Sequence, residues 1–169
     1  MHLPVRKPIR LKNFDYSSSG IYFLTFCTEG RQCILSEVTA GEIVLKPIGM
    51  IVDHWWKQLP NHFLNLTLDD VVVMPNHVHA ILKLESQARV PSEESTHFDG
   101  RASIGQVLAY WKYQTSKEIR HRGLSNTSIC QTRFFDRVIR NDEELRKARQ
   151  YIADNPANWD GDKMNPAFA

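Results

Sequence analysis

The sequence predicts an α/β sandwich in which one largely antiparallel sheet lies under two or more helices. Three observations lead there. Ile21-Tyr22-Phe23-Leu24-Thr25-Phe26-Cys27 is rich in aromatic and β-branched residues and reads as a buried strand. Two more strand-like runs, Leu68 to Met74 and His77 to Leu84, meet at Pro75-Asn76 and read as a central hairpin. Apolar residues at helical spacing bracket that hairpin, at 48, 51, 52, 55 and 59 before it and at 104, 107, 108, 111 and 119 after it.

The remaining elements follow in chain order. Residues 1–16 form an N-terminal arm that is basic at Arg6, Lys7, Arg10 and Lys12. After the first strand, Glu29-Gly30 turns the chain, and Gln32 to Leu35 is expected to pair back. Pro60-Asn61 should end the first helix. Residues 86–101 are polar, acidic and without period, the pattern of a mobile loop. Ser103 caps the second helix, a loop runs from Arg120 to Gln131, and Phe134 to Ile139 reads as a short strand. Asn141 caps a last helix with Asp142, Glu143 and Glu144 in its first turn and Arg146, Lys147 and Arg149 later, as its dipole prefers. That helix should stop at Asn155-Pro156, since a residue before proline avoids helical backbone. No internal repeat is visible, and 169 residues suit one domain spanning 1–169.

Composition excludes several classes. A hydrophobic content of 42% with a net charge of +2 argues against disorder. No apolar run approaches the roughly 18 residues of a membrane span, and the N-terminus lacks a signal-peptide core. Cys27, Cys33 and Cys130 are odd in number and lack CxxC spacing, so they read as small buried or half-buried thiols of a reducing cytoplasm. The modest net charge hides a basic stretch: residues 101–151 carry eleven Lys and Arg against five acids. With the arm, this fits a surface that meets a polyanion.

The sharpest chemical feature is His77-Val78-His79. On a strand these imidazoles leave the same face about 7 Å apart. Val78, Ala80, Leu82 and Leu84 leave the other face, which is therefore the core face, so the imidazoles project beside Ile81, Lys83 and Glu85. Two same-face imidazoles are ready ligands for a divalent metal, although two surface histidines on an open sheet would look the same. Tyr151 and Asn155 lie one turn apart on the last helix. Two sheet histidines and a helix amide can hold one ion with positions left open, and a tyrosine one turn away can then attack a bound phosphodiester.

The stretch Met74-Pro75-Asn76-His77-Val78-His79-Ala80-Ile81 resembles the His-hydrophobic-His signature of the HUH endonuclease superfamily. Tyr151-Ile152-Ala153-Asp154-Asn155-Pro156 resembles the YIxxNP signature of its single-tyrosine transposases. More narrowly, the chain resembles the REP-associated tyrosine transposases, through Arg10-Leu11, Phe14 to Ser17, Tyr22 to Thr25, His54-Trp55-Trp56, Trp111-Lys112-Tyr113, Ile139-Arg140-Asn141 and Trp159. It departs from them at Cys130-Gln131, where the family has Trp-Gln. The resemblance implies a ferredoxin-like (RRM-like) fold, Mg²⁺ or Mn²⁺, and cleavage and rejoining of single-stranded DNA beside palindromic hairpins. It implies His77, His79 and Asn155 as metal ligands and Tyr151 as a nucleophile that forms a 5′-phosphotyrosine. It also implies a nucleoid-associated bacterial protein, either a monomer or a homodimer exchanging helices.

Candidate DNA contacts are the basic arm (Arg6, Lys7, Arg10, Lys12), the group Tyr110, Lys112, Tyr113 and Lys117 on the second long helix, and Arg133, Arg137 and Arg140 on and around the last strand. The alternative to a metal-dependent strand transferase is a DNA-hairpin-binding protein without catalysis. A third reading is a small metal hydrolase that does not use tyrosine.

Overall fold

The computed structural model describes residues 19–85 and 102–168. The basic arm and residues 86–101 therefore lie outside the described residues. The first strand is β1 (Gly20–Cys27), and a short 3₁₀ turn at Glu29–Arg31 follows it. Gln32 to Leu35 does not pair back on β1; Leu35 instead donates its N–H to the Pro75 carbonyl, 3.0 Å away. A hairpin that the sequence pattern did not announce follows, with β2 (Ser36–Thr39) against β3 (Glu42–Leu45). Its turn residues Ala40 and Gly41 both have positive φ (51° and 79°), a geometry usually signalled by Asn-Gly, and alanine hid it.

Next come α1 (Pro47–Lys57) and the short α2 (Leu59–His62). Pro60 sits in the first turn of α2 and does not end the run, because proline lacks only an N–H that a first turn leaves unused. The central hairpin is β4 (Leu66–Val73) and β5 (His77–Leu84), followed by α3 (Ile104–His121), β6 (Phe135–Ile139) and α4 (Asp142–Asp154). Ser103 caps α3 in a reciprocal capping box with Gln106, and the Asn141 side chain accepts from the Glu144 N–H at 2.8 Å to cap α4.

The main sheet has four strands in the order β4-β5-β1-β6, antiparallel throughout. With α1 and α3 as its connecting helices, this is the ferredoxin-like arrangement, to which the β2–β3 hairpin and α4 are additions. One face carries the large core: Tyr22, Leu24 and Phe26 of β1 and Val78, Ala80, Leu82 and Leu84 of β5 pack with Trp56 of α1 and Trp111 of α3. The other face carries a small cluster of Ile81, Ile139 and Ile152, packed with Phe23, Val72, Leu145 and Ala148 beneath α4. A bulge between Leu68 and Val71 places Asp69 and Asp70 at the edge of the sheet. No helix among the described residues is long and apolar enough to cross a membrane.

One close approach fixes the entry into α1. The Lys46 N–H donates to the Leu35 carbonyl at 2.9 Å, and a Cβ on Gly49 would stand 1.9 Å from that same oxygen. Gly49→Ala must push backbone against backbone, so it is expected to lower stability by about 1–3 kcal/mol in urea denaturation.

Candidate active site

The strand register brings the histidines into place. β5 pairs with β1 so that His79 faces Thr25 and His77 faces Cys27. The face parity is as the alternation predicts, but this face is not open: His77 is 0% and His79 2% exposed. The sequence pattern showed only one apolar stripe on β5, and α4 together with the C-terminal turns covers the other side. The two imidazole centroids lie 4.6 Å apart, and Phe23 stacks on His79 at 5.4 Å.

Hydrogen bonds orient both rings. Asn76 donates its amide nitrogen to the carbonyls of Met164 (2.7 Å) and Arg31 (3.2 Å), so its oxygen is the atom facing His77 Nδ1 at 2.8 Å. An amide oxygen only accepts, so His77 carries its proton on Nδ1 and its lone pair on Nε2. That Nε2 is buried and has no hydrogen-bond partner. His79 Nδ1 shares a 2.8 Å hydrogen bond with the Thr25 hydroxyl, and its Nε2 lies 3.4 Å from the Tyr151 hydroxyl. Burial pushes the His77 pKa down to about 4, against the opposing pull of Asp162 and Asn155. His79 falls to about 3, through burial and then the charge of His77. Both rings are neutral at pH 7, the form in which imidazole binds metals.

Helix α4 supplies the other two residues. Tyr151 is 47% exposed, with its ring 5.0 Å from that of His79, and both belong to one chain. Asn155 keeps helical backbone despite Pro156 (φ −57°, ψ −45°) and is 5% exposed. Its amide nitrogen points at the Tyr151 carbonyl, 3.4 Å away, which leaves Oδ1 free. That oxygen is buried, stands beside the His77 ring, and forms no hydrogen bond. From the C-terminal segment, Asp162 Oδ2 lies 3.9 Å from His77 Nε2. Among the described residues, no three His, Cys, Asp or Glu side chains cluster closely enough to hold a metal ion on their own. His77 Nε2 and Asn155 Oδ1 are buried without a partner, and together with His79 Nε2 they make a donor set that suits a divalent cation.

Beside Tyr151 opens a cleft of about 570 Å³, lined by Phe23, Phe135, Ile139, Arg137, Lys147 and Met164 among others. Arg137 thus lies at the site, paired with Glu144 at 3.4 Å. Arg133 and Arg140 are exposed at either end of β6. The α3 group is elsewhere, because α3 covers the opposite face of the sheet. Tyr110 stacks on His62 at 3.9 Å, and the Lys112 ammonium donates to the Gln131 and Thr132 carbonyls at 2.7 and 3.1 Å. Lys112 therefore braces a loop, whereas Tyr113 and Lys117 are exposed. Of the thiols, Cys27 and Cys130 are half-buried and Cys33 is exposed.

Sequence reasoning missed Thr25, Phe23, Lys147 and Asp162. The first two follow from strand parity once β1 is known to pair with β5. Lys147 was read only as a dipole partner, and Asp162 carries no local signal.

A ferredoxin-like sheet with a buried His-x-His pair and a tyrosine on a separate helix defines the class of site. No family model matches the chain. It is similar to an uncharacterized protein of Haemophilus influenzae, 26% identical over 167 residues that cover 94% of this chain and 92% of that one. Its fold is that of a solved REP-associated tyrosine transposase bound to a REP hairpin, with a TM-score of 0.56, 21% identity, and coverage of 89% of this chain and 74% of that one.

Position on α4 depends in part on Arg149, which grips the Asp69 carboxylate with two hydrogen bonds of 2.9 and 2.6 Å. The Arg149 hydrogen bond holds the Asp69 pKa below the usual carboxylate range. A lowered carboxylate pKa contributes stability above the unfolded value of about 4, and that contribution fades as pH falls through the folded one. The melting temperature of the native chain should therefore exceed that of Asp69→Asn at neutral pH. A pH series of melting curves is expected to show this difference shrinking below about pH 4.

Proposed function

We propose that this protein cleaves and rejoins single-stranded DNA beside hairpins, with Tyr151 as nucleophile and Mg²⁺ or Mn²⁺ held by His77, His79 and Asn155. One observation carries the reading: the Tyr151 hydroxyl reaches a neutral, buried imidazole beside two unsatisfied acceptors, His77 Nε2 and Asn155 Oδ1. Acceptors buried without a donor are costly, and a cation would satisfy them together. When bound, such an ion supplies Lewis-acid polarisation of the phosphodiester.

The protein's own residues account for the rest. Tyr151 is half-exposed and lines the cleft, open to a strand lying along α4. Its oxygen bonds to phosphorus as the P–O3′ bond breaks. The phenol loses a proton and the departing 3′-oxygen gains one, leaving a 5′-phosphotyrosine and a free 3′-hydroxyl. The reverse attack by a 3′-hydroxyl rejoins strands and restores the phenol. Arg137 and Lys147, on the rim of the cleft, offer positive charge to the backbone. The hairpin carried by the solved structural neighbour supports a folded-back DNA substrate.

Incubating the protein with single-stranded hairpin oligonucleotides and Mn²⁺, followed by denaturing electrophoresis, tests the reading. A covalent adduct that disappears in Tyr151→Phe, while native-gel binding persists, is the expected result. A mobility shift without an adduct would instead favour a binding module, and cleavage without an adduct a hydrolase. Asn76→Ala, which frees the His77 tautomer, is expected to weaken Mn²⁺ binding about 10–100-fold by calorimetry.

A further inference from the structure

We propose that Asp162 is a further protein ligand to the divalent cation, bringing the one carboxylate into an otherwise uncharged donor set. This rests on the reading of His77, His79 and Asn155 as ligands. The argument begins with a polarity mismatch. Asn76 fixes the His77 lone pair on Nε2, and the carboxylate oxygen Asp162 Oδ2 lies 3.9 Å from it. Two acceptors therefore face each other, and Asn155 Oδ1 is a third, buried and without a hydrogen bond. Acceptors gathered in this way call for a positive ion.

The carboxylate is also held in one orientation. Asp162 Oδ1 accepts the Met164 N–H at 2.8 Å, which leaves Oδ2 as the free oxygen on the His77 side. The turn that carries it is closed by Asp162 N–H to the Trp159 carbonyl (3.1 Å) and by Asn165 N–H to the Asp162 carbonyl (2.9 Å). It is tied to the histidine motif through Asn76 and the Met164 carbonyl, and Trp159 lies 6.0 Å from the His77 ring. One residue, Asn76, thus orients the imidazole with its oxygen and anchors the carboxylate-bearing turn with its nitrogen. The Asp162 side chain is 17% exposed, open enough to move toward an ion. Adjacent ligands of an octahedral ion with bonds of about 2.1 Å stand roughly 3 Å apart, so the gap closes with about an ångström of movement.

The chemistry this adds is selectivity. Two imidazoles and an amide are neutral and discriminate poorly, whereas a carboxylate adds a hard, charged oxygen that suits Mg²⁺ and Mn²⁺.

The test is Asp162→Asn in the full chain, since asparagine keeps an oxygen to accept the Met164 N–H. Calorimetric titration with Mn²⁺, without DNA, should show at least a tenfold loss of affinity. The rise in melting temperature that saturating Mn²⁺ gives the native chain should shrink in parallel. That increment is read against the metal-free variant, so it stays informative if the variant is less stable. Equal or tighter Mn²⁺ binding by Asp162→Asn would overturn the proposal. Failure of the strand-transfer reading is seen separately: if the native chain binds Mn²⁺ in an Asp162-dependent way yet never forms a DNA adduct, the ligand stands and the nucleophile falls.

Discussion

The antiparallel pairing of β5 with β1 is the constraint on which the rest of the structure depends. β5 is a central strand buried on both faces, so every residue on it except the exposed Lys83 is committed to one layer or the other. Val78, Ala80, Leu82 and Leu84 enter the large core, and His77, His79 and Ile81 enter the small one. A slip of one residue would exchange the two sets, driving imidazoles against Trp56 and Trp111 and taking aliphatic side chains out of the core. Apolar packing on the far face therefore sets the aim of the histidines on the near face. The site is preorganised by contacts that take no part in its chemistry.

The electrostatics then follow from burial. A buried acceptor without a partner costs on the order of 1–3 kcal/mol, and the site holds at least two, His77 Nε2 and Asn155 Oδ1. Protonation is an ordinary relief for an imidazole, but desolvation makes it unfavourable here, with titration near pH 4 for His77 and near pH 3 for His79. The second imidazole worsens the position of the first, because two cations 4.6 Å apart between ring centres would repel. The deficit of positive charge thus persists at neutral pH. Thr25 and Asn76 occupy the Nδ1 atoms and keep the Nε2 atoms directed inward, the usual arrangement behind metal-binding histidines.

Much of this was legible in the chain because periodicity is a local property. Alternation on β5, the Asn141 cap and the one-turn spacing of Tyr151 and Asn155 each need only a few adjacent residues, and each placed its element. The β2–β3 hairpin was not legible, since its strands are short and half-exposed and its turn uses Ala40 where a positive φ usually selects asparagine or glycine. Whether the histidine face is open or covered could not be read from the pattern, for a different reason. Whether α4 lies over His79 is a tertiary fact, decided by Ile81, Ile139 and Ile152 meeting across long separations. Lys112 and Tyr110 looked like a nucleic-acid surface because their spacing is helical. Which layer α3 joins, and that Lys112 reaches back to Gln131, is settled by topology. Asp162 was invisible for the same reason, as nothing near it in sequence points to His77.

The two layers are unequal, and the inequality bears on function. Beneath α1 and α3 lies a core with two buried tryptophans, whereas α4 sets its Ile152 on only two buried isoleucines, Ile81 and Ile139, with a few partners and the Arg149–Asp69 pair. Local opening free energy scales with such contacts, so α4 opens at lower cost than α1 or α3. The two histidines stay fixed with the thick layer while Tyr151 rides on the thin one. In the strand-transfer reading proposed above, a nucleophile that holds one DNA end covalently and then presents it to another would benefit from that division. In that reading the cation site would stay rigid to polarise phosphate, whereas the phenol would approach, remain attached and be released. A thicker apolar layer under α4 would hold Tyr151 more firmly, but it would also resist the displacement that the proposed exchange of strands would demand.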